Sequence, residues 1–284
     1  MNVQVRRLLV AAVLLAAVLA ATDAACGGGV ARAGAPTAGG HRIQRPVALV
    51  YRGPAACDGC PEAAADMLAR QPQHFVIRYI GPGQRLRFSA RALRGVALFV
   101  LPGGGNDVDQ AWRGLRDDPG FSPALVRDYV RAGGRYLGIC MGGYLAGITA
   151  GNGGLRLLPG DSAEYVGSSG ARVATTADTL VQVTWLGGHR PRPRTMYFQD
   201  GPYFQLSDPR TDPQARAAVV LARYRSAGQP VAIMIVPYGR GRVAVSGPHP
   251  EATPGWYTAN GLTSFYAADI DIGNALIAAL MASP

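Results

Sequence analysis

Four runs of continuous apolar residues punctuate the first half of the chain: VALVY (47–51), FVIRYI (75–80), VALFVLP (96–102) and YLGIC (136–140). They are short for helices and too uniformly apolar for strands with one wet face. Between them lie helix-like stretches. PEAAADMLARQ carries proline in its first turn, and 107–116 and 122–132 follow, the latter closed by GGR. Apolar strands alternating with helices predict a parallel sheet covered on both faces. Beyond about residue 155 the texture changes. ARVATTADTLVQVTWLGG and TMYFQDGPYF read as strands and turns. AVVLARYR (218–225) and PVAIMIVPYGRGRVAVSG (230–247) read as hairpin-like strands with a Tyr-Gly-Arg-Gly turn, and IGNALIAALM reads as a closing helix. The 284 residues, 48% of them hydrophobic, are enough to bury one large core or two small ones. No internal repeat or coiled coil is visible.

The N-terminus carries a different signal. Arg6 and Arg7 precede LLVAAVLLAAVLAA, and small residues follow in TDAACGGG. The run is short for a membrane span and has the three parts of a secretory signal. Thr22 and Ala24 suit the positions before a signal-peptidase cut, so residues 1–25 are read as a signal peptide. Cys26 before glycines offers a bacterial lipid anchor as the alternative, against which stands Asp23 where leucine is usual. Arg6-Arg7 is the barest form of a twin-arginine signal, and an uncleaved N-terminal anchor is the other reading. Each places the domain outside the cytoplasm: secreted, periplasmic or at the cell surface. The mature chain is expected to have no transmembrane span. Residues 26–45, rich in Gly, Ala and Pro, read as a flexible leader to a domain over 46–284.

All 28 basic residues are arginine, which excludes a phosphate-loop, Schiff-base or general-base lysine. The net charge of +10 invites a nucleic-acid partner, but no nucleic-acid module is recognisable and none is expected. The densest basic run is HRPRPR at 189–194, and the arginines are otherwise scattered singly. They read as a solvated surface with a weak attraction to acidic partners.

Four cysteines remain to be placed: Cys26, Cys57, Cys60 and Cys140. Cys57 and Cys60 form CDGC, read in an oxidising compartment as a disulfide pinning a loop. A zinc site would need a second ligand pair, which is missing. A thioredoxin-like redox role shares the spacing but lacks the usual surroundings. Cys140 is then left alone, at the end of the fourth strand and before a helix, where open α/β sheets hold their sites. In G-I-C-M-G, Gly138 and Gly142 leave room for a nucleophile on a sharp strand-to-helix turn. The following helix N-terminus would favour a thiolate, and the Met141 N–H would face a developing oxyanion. A buried cysteine in a glycine-rich turn is the competing reading. LPGGGND (101–107) follows the neighbouring strand, and its glycines could turn N–H groups to a bound carbonyl. In SGPHPE (246–251), Pro250 biases His249 toward extended geometry, which would put His249 and Glu251 on one side. A carboxylate so placed could polarise an imidazole that serves a cysteine elsewhere. A turn histidine beside a surface glutamate is the alternative.

Together, LPGGG, GICMGG and HPE resemble the class I glutamine amidotransferase-like superfamily. VALVYRGP, FVLPGGGNDVD, YVRAGGRYLGICMGGYLAG, YFQDGPYF and GPHPE resemble more closely the amidotransferase-like domain at the N-terminus of some biotin–protein ligases, which exported bacterial proteins carry alone. The resemblance covers roughly residues 46–282. It implies a flavodoxin-like, doubly wound, mainly parallel sheet with helices on both faces and extra antiparallel strands in the C-terminal half. It also implies Cys140 as nucleophile, His249 as base, Glu251 as orienting acid, and Gly104 and Met141 as oxyanion donors. Gly103, Gly105 and the QDGP loop with Gln199 and Asp200 are placed near the substrate, a plain turn being the other reading of that loop, and Tyr144 is taken to line the pocket. One departure stands out: glutamine-hydrolysing members carry glutamine four residues after the nucleophile, and this chain has Tyr144. A pocket for free glutamine is therefore not expected. Neither is biotin ligase activity, since no synthetase or ligase domain follows within these residues.

The resulting expectation is an exported cysteine hydrolase or amidase acting on a small-molecule or peptide amide or ester, with no metal or organic cofactor. A catalytically silent binding module on the same fold is the alternative, and a redox protein working through CDGC is a third.

Overall fold

A computed structural model describes residues 45–147 and 153–282. The expected signal peptide, Cys26 and all but the last residue of the leader lie outside the described residues. The elements run β1 (Val47–Tyr51), α1 (Cys60–Ala69), β2 (Val76–Ile80), α2 (Ala90–Leu93), β3 (Val96–Leu101), α3 (Val108–Arg116), α4 (Pro123–Arg131), β4 (Arg135–Ile139) and α5 (Met141–Ala146). There follow β5 (Gly160–Glu164), β6 (Thr179–Trp185), β7 (Arg192–Phe198), β8 (Pro202–Leu206), α6 (Pro213–Arg216), β9 (Val219–Tyr224), β10 (Val231–Tyr238), β11 (Gly241–Ser246), α7 (Pro254–Ala259) and α8 (Tyr266–Met281).

These strands join one sheet in the order β2-β1-β3-β4-β11-β10-β9-β6-β7, with β8 attached to β10 and β5 to β8. The first five in that order are mutually parallel, and β10, β9, β6 and β7 add antiparallel neighbours. The β1–β4 runs are apolar throughout because both faces of the sheet are covered. Side chains alternate strictly. Leu49, Phe99, Tyr136 and Val245 pack on one face against Trp112 of α3, Val126 of α4 and Leu145 of α5. Val50, Leu98, Leu137 and Ala244 pack on the other against Met67 of α1 and Leu276 of α8. The α/β expectation and the antiparallel additions are both present.

Helix starts follow local chemistry. Asp107 and Ser122 cap α3 and α4 by accepting the N–H groups of Gln110 and Leu125. The β10–β11 hairpin pairs Tyr238 with Gly241, and Gly239 takes φ 59°, which the Tyr-Gly-Arg-Gly turn supplies without strain. Two elements differ from the sequence expectation. The helix after Cys140 stops at Ala146, six residues long, so its dipole is short and adds little at the thiol. The terminal helix is longer than its apolar run, because its first turns at Tyr266–Asp269 pack under α7 through Tyr257. Among the described residues no helix is long and apolar enough to cross a membrane.

Candidate functional site

Cys140 sits between β4 and α5 with φ 48° and ψ −106°, a conformation that non-glycine residues rarely adopt. Three contacts hold it there. Its N–H donates to the Ser246 carbonyl at 2.8 Å, tying the turn to β11. The Tyr136 hydroxyl donates to the Gly142 carbonyl at 2.7 Å from inside the core. The chain then packs so closely that a Cβ on Gly142 would run into the Leu101 carbonyl, and one on Gly138 into the Gly142 carbonyl. The two glycines flanking the thiol are thus a steric requirement of the turn, as the G-I-C-M-G spacing predicts.

β11 lies beside β4, so the segment after it delivers His249 to the same end of the sheet. His249 Nδ1 meets Glu251 Oε1 at 2.9 Å, and both side chains are buried. The pair does not run along an extended strand. It closes around a turn at Pro250–Glu251, with the Ala252 N–H donating to the His249 carbonyl at 3.2 Å. The ring is wedged edge-on between Tyr197 and Trp256, with centroids at 6.0 and 5.5 Å. Burial pulls the imidazole pKa down, but the Glu251 and Cys140 charges outweigh it and hold His249 well above its usual range. Its Nε2 is buried and makes no well-formed hydrogen bond, although the Cys140 thiol is near enough to couple to the ring.

A cavity of about 190 Å3 opens beside the thiol, walled by Gly104, Gly105, Asn106, Val108, Cys140, Met141, Tyr144, Glu164, Gln199 and Asp200. The N–H groups of Gly104 and of Met141, the first residue of α5, find no backbone acceptor among the described residues. A Cβ on Gly104 would strike the Met141 side chain and the Ala55 carbonyl, so glycine is needed for the two donors to approach each other. Cys140 Sγ donates to the Gln199 carbonyl at 3.4 Å, and Gln199 Nε2 donates to Asn106 Oδ1 at 2.9 Å across the rim. Asp200, at φ 49°, has its carboxyl pushed up to about 6 by burial and then by the Glu164 charge. Tyr144 lies in the wall, at the position four residues past the thiol.

Gly103 is placed differently from its neighbours. It lies outside the cavity wall, and a Cβ there would press on His249 Cε1 and on the Cys60 sulfur, with the Cys57 sulfur in ordinary contact. Cys57 and Cys60 are at disulfide distance, with Cα atoms 5.4 Å apart, and the Cys57 N–H donates to the Gly103 carbonyl at 3.1 Å. The bridge therefore props the loop that carries the N–H groups. Glu164 and Asn106 were not singled out by sequence reasoning. Glu164 ends β5, a strand too polar to read as one, while Asn106 had only its place in LPGGGND as a signal.

Behind Glu251 lies a second buried carboxyl. Asp269 accepts a hydrogen bond from the Tyr257 hydroxyl. Its pKa is raised from 3.8 to about 8, first by burial and further by the Glu251 charge. Between those values the folded protein keeps a proton that the unfolded chain has lost. Stability should therefore fall as pH rises from about 4 to about 8, by on the order of a few kcal/mol. Asp269→Asn should flatten that slope in denaturant titrations across the window; an unchanged slope would show that Asp269 is ionised throughout.

Residues 47–150 match the family described as "Biotin-protein ligase, N terminal", a span that includes Cys140 but stops short of His249 and Glu251. An uncharacterised protein of Chlamydia muridarum is 32% identical over 177 residues, 55% of this chain and 61% of that protein, so the chain spans about three fifths of that relative's length. Among solved structures, a glutamine amidotransferase from Thermotoga maritima superposes with TM-score 0.55 at 15% identity, covering 84% of this chain and all of that one. PurLQS from the same organism gives 0.53 at 18%, covering 83% of this chain and all of its own. At such identities the likeness is one of fold. Residues 47–150 are thus similar to the biotin–protein ligase N-terminal family, and the described residues adopt a fold of the class I glutamine amidotransferase kind.

Proposed function

We propose that this protein is an exported cysteine-dependent hydrolase of a small amide or ester. The observation that carries the reading is the convergence of three chain segments on one thiol. A nucleophile in a forced turn and a glycine loop with open N–H groups wall the cavity, and an imidazole braced by a carboxylate lies outside that wall, beside the thiol. In the proposed cycle the thiol proton already rests on His249, paired with a Cys140 thiolate, and that Sγ adds to the carbonyl carbon. The oxyanion is held by the N–H groups of Gly104 and Met141. Collapse breaks the carbonyl–nitrogen or carbonyl–oxygen bond, and His249 returns the proton to the departing amine or alcohol. Water, deprotonated by the same ring, then cleaves the thioester and frees the thiol. The Cys57–Cys60 bridge is assigned a structural part, since Cys60 is buried behind Gly103.

The cavity also narrows the substrate. Two carboxylates, Glu164 and Asp200, and no basic residue line it. A substrate with a positive group beside its carbonyl is favoured over an anionic one. Because Asp200 titrates near 6, preference for a cationic over a neutral ester should grow as pH rises through that value. Asp200→Asn should lower kcat/KM for the cationic ester by about tenfold and spare the neutral one. Equal losses for both esters would remove the charge-selection part of the proposal.

One observation favours a silent binding module instead. The thiol hydrogen-bonds to the Gln199 carbonyl, and His249 Nε2 is left without a well-formed partner. Intact-mass analysis after exposure to p-nitrophenyl acetate separates the two. A single acetyl adduct that is absent from Cys140→Ala supports the hydrolase. Unmodified protein after prolonged exposure supports the binding module.

A further inference from the structure

At the opposite end of the sheet from Cys140 the strands begin beside a groove of about 460 Å3. Five arginines line it: Arg78 of β2, Arg85 and Arg87 of the following loop, Arg91 of α2 and Arg94 of the turn into β3. All five are exposed, and none of their side chains makes a hydrogen bond or ion pair among the described residues. No carboxylate lines the groove. This follows from the sequence, because between Asp66 and Asp107 there are six arginines and no Asp or Glu. The one carboxylate on an adjoining face, Asp128 beside Arg94, is engaged by Arg131 at 2.6 Å. A second groove of about 620 Å3 shares Arg78 and Arg85.

Charge on an edge strand can serve merely to block strand addition, and β2 is such an edge. That account reaches Arg78 but not the arginines of the loop, α2 and the α2–β3 turn, which are not on the strand. Five like charges gathered in one concavity repel one another, and each guanidinium presents a planar fork of donors with nothing to receive it. Phosphate oxygens match that fork in geometry and charge. The apolar floor, which includes Leu86, would seat the uncharged part of such a ligand. We propose that this groove binds a phosphate-bearing anion, either a soluble phosphate ester or the headgroup of an anionic lipid. It is independent of the thiol site. β3 runs from Val96 in the groove to Leu101 before the glycine loop, six residues or roughly 20 Å of strand.

The test uses the full chain with two triple variants. One carries Arg85→Ala, Arg87→Ala and Arg91→Ala in the groove. The other removes the same charge from the largely exposed 189–194 run through Arg190→Ala, Arg192→Ala and Arg194→Ala. The probes are tripolyphosphate, followed by calorimetry, and vesicles of phosphatidylcholine with or without phosphatidylglycerol, followed by co-sedimentation. Both variants should fold, since these side chains anchor no other element: among the described residues their one hydrogen bond runs from Arg194 to the adjacent Pro193 carbonyl. Binding weakened about a hundredfold by the groove variant, and within about twofold of wild type in the other, is the expected result. Seen with tripolyphosphate, it identifies a soluble phosphate ligand; seen only as the preference for phosphatidylglycerol, it identifies a lipid headgroup. Any anchoring by the apolar N-terminal run is common to both vesicles and cancels in that comparison. Absence of binding to either probe would overturn the proposal. So would equal weakening in both variants, which would make net charge the cause. Tighter binding of duplex DNA than of either probe, lost in the groove variant, would overturn it in favour of a nucleic-acid face.

Discussion

His249→Ala should slow the reaction of Cys140 with iodoacetamide by about a hundredfold or more near neutral pH. The imidazole is the group next to the thiol that can hold its proton and pair with the thiolate, and nothing else near it can take over. Val108, Met141 and the glycines cannot, and Asp200 and Glu164 would oppose a second negative charge. Glu251→Ala should slow labelling as well, by a smaller factor, because it leaves the ring in place but removes the charge that holds it protonated. Glu251→Gln should fall between wild type and Glu251→Ala. Timed labelling read by mass spectrometry, with Cys140→Ala as the blank, measures all of these. Labelling that is slow in wild type and indifferent to both substitutions would show that the thiol and imidazole do not act together, and the hydrolase reading would go with it.

The largest structural effect is expected from Gly142→Ala. The added methyl would lie well inside contact with the Leu101 carbonyl, which is locked in the parallel ladder between β3 and β4. Neither side can yield cheaply. Moving Leu101 disturbs the start of the glycine loop, and moving Gly142 breaks the hydrogen bond from Tyr136. A loss of about 3 kcal/mol or more is expected, at or above the usual range for overpacking. Thermal unfolding would show it directly. A shift under about 1 kcal/mol would mean that the turn after Cys140 is far more pliant than its packing implies.

The parts of this molecule legible in the sequence are those whose cause is local. The apolar runs of β1 to β4 announce a doubly covered sheet because each strand must satisfy both faces at once. Gly138 and Gly142 announce the turn because any other residue collides there. The His249–Glu251 pair was legible as a pair but not in its geometry: a turn at Pro250–Glu251 replaces the extended segment, and only the fit against Tyr197 and Trp256 decides that. Asp269 gave no sign, since a carboxylate in a terminal helix reads as solvated until α7 covers it. The arginine groove was equally hidden. HRPRPR is denser along the chain, yet Arg78, Arg85, Arg87, Arg91 and Arg94 are denser in space, because a loop and a short helix fold them around one end of β1 and β3. Glu164 reaches the cavity through the β5–β8 pairing, whose register no local pattern encodes.

The position of β11 also bears on how the protein comes into being. It inserts between β4 and β10 and pairs with β4 across more than a hundred residues, Arg242 beside Arg135. A chain emerging in order from its N-terminus would hold Cys140 long before it held His249. Closing a contact of that span is slow and comes late. Until it closes, the cysteine has neither the neighbouring imidazole nor the Ser246 carbonyl that fixes its turn. The proposed activation of the thiol would thus belong to the finished fold alone, and a half-made or cut chain would carry an ordinary cysteine.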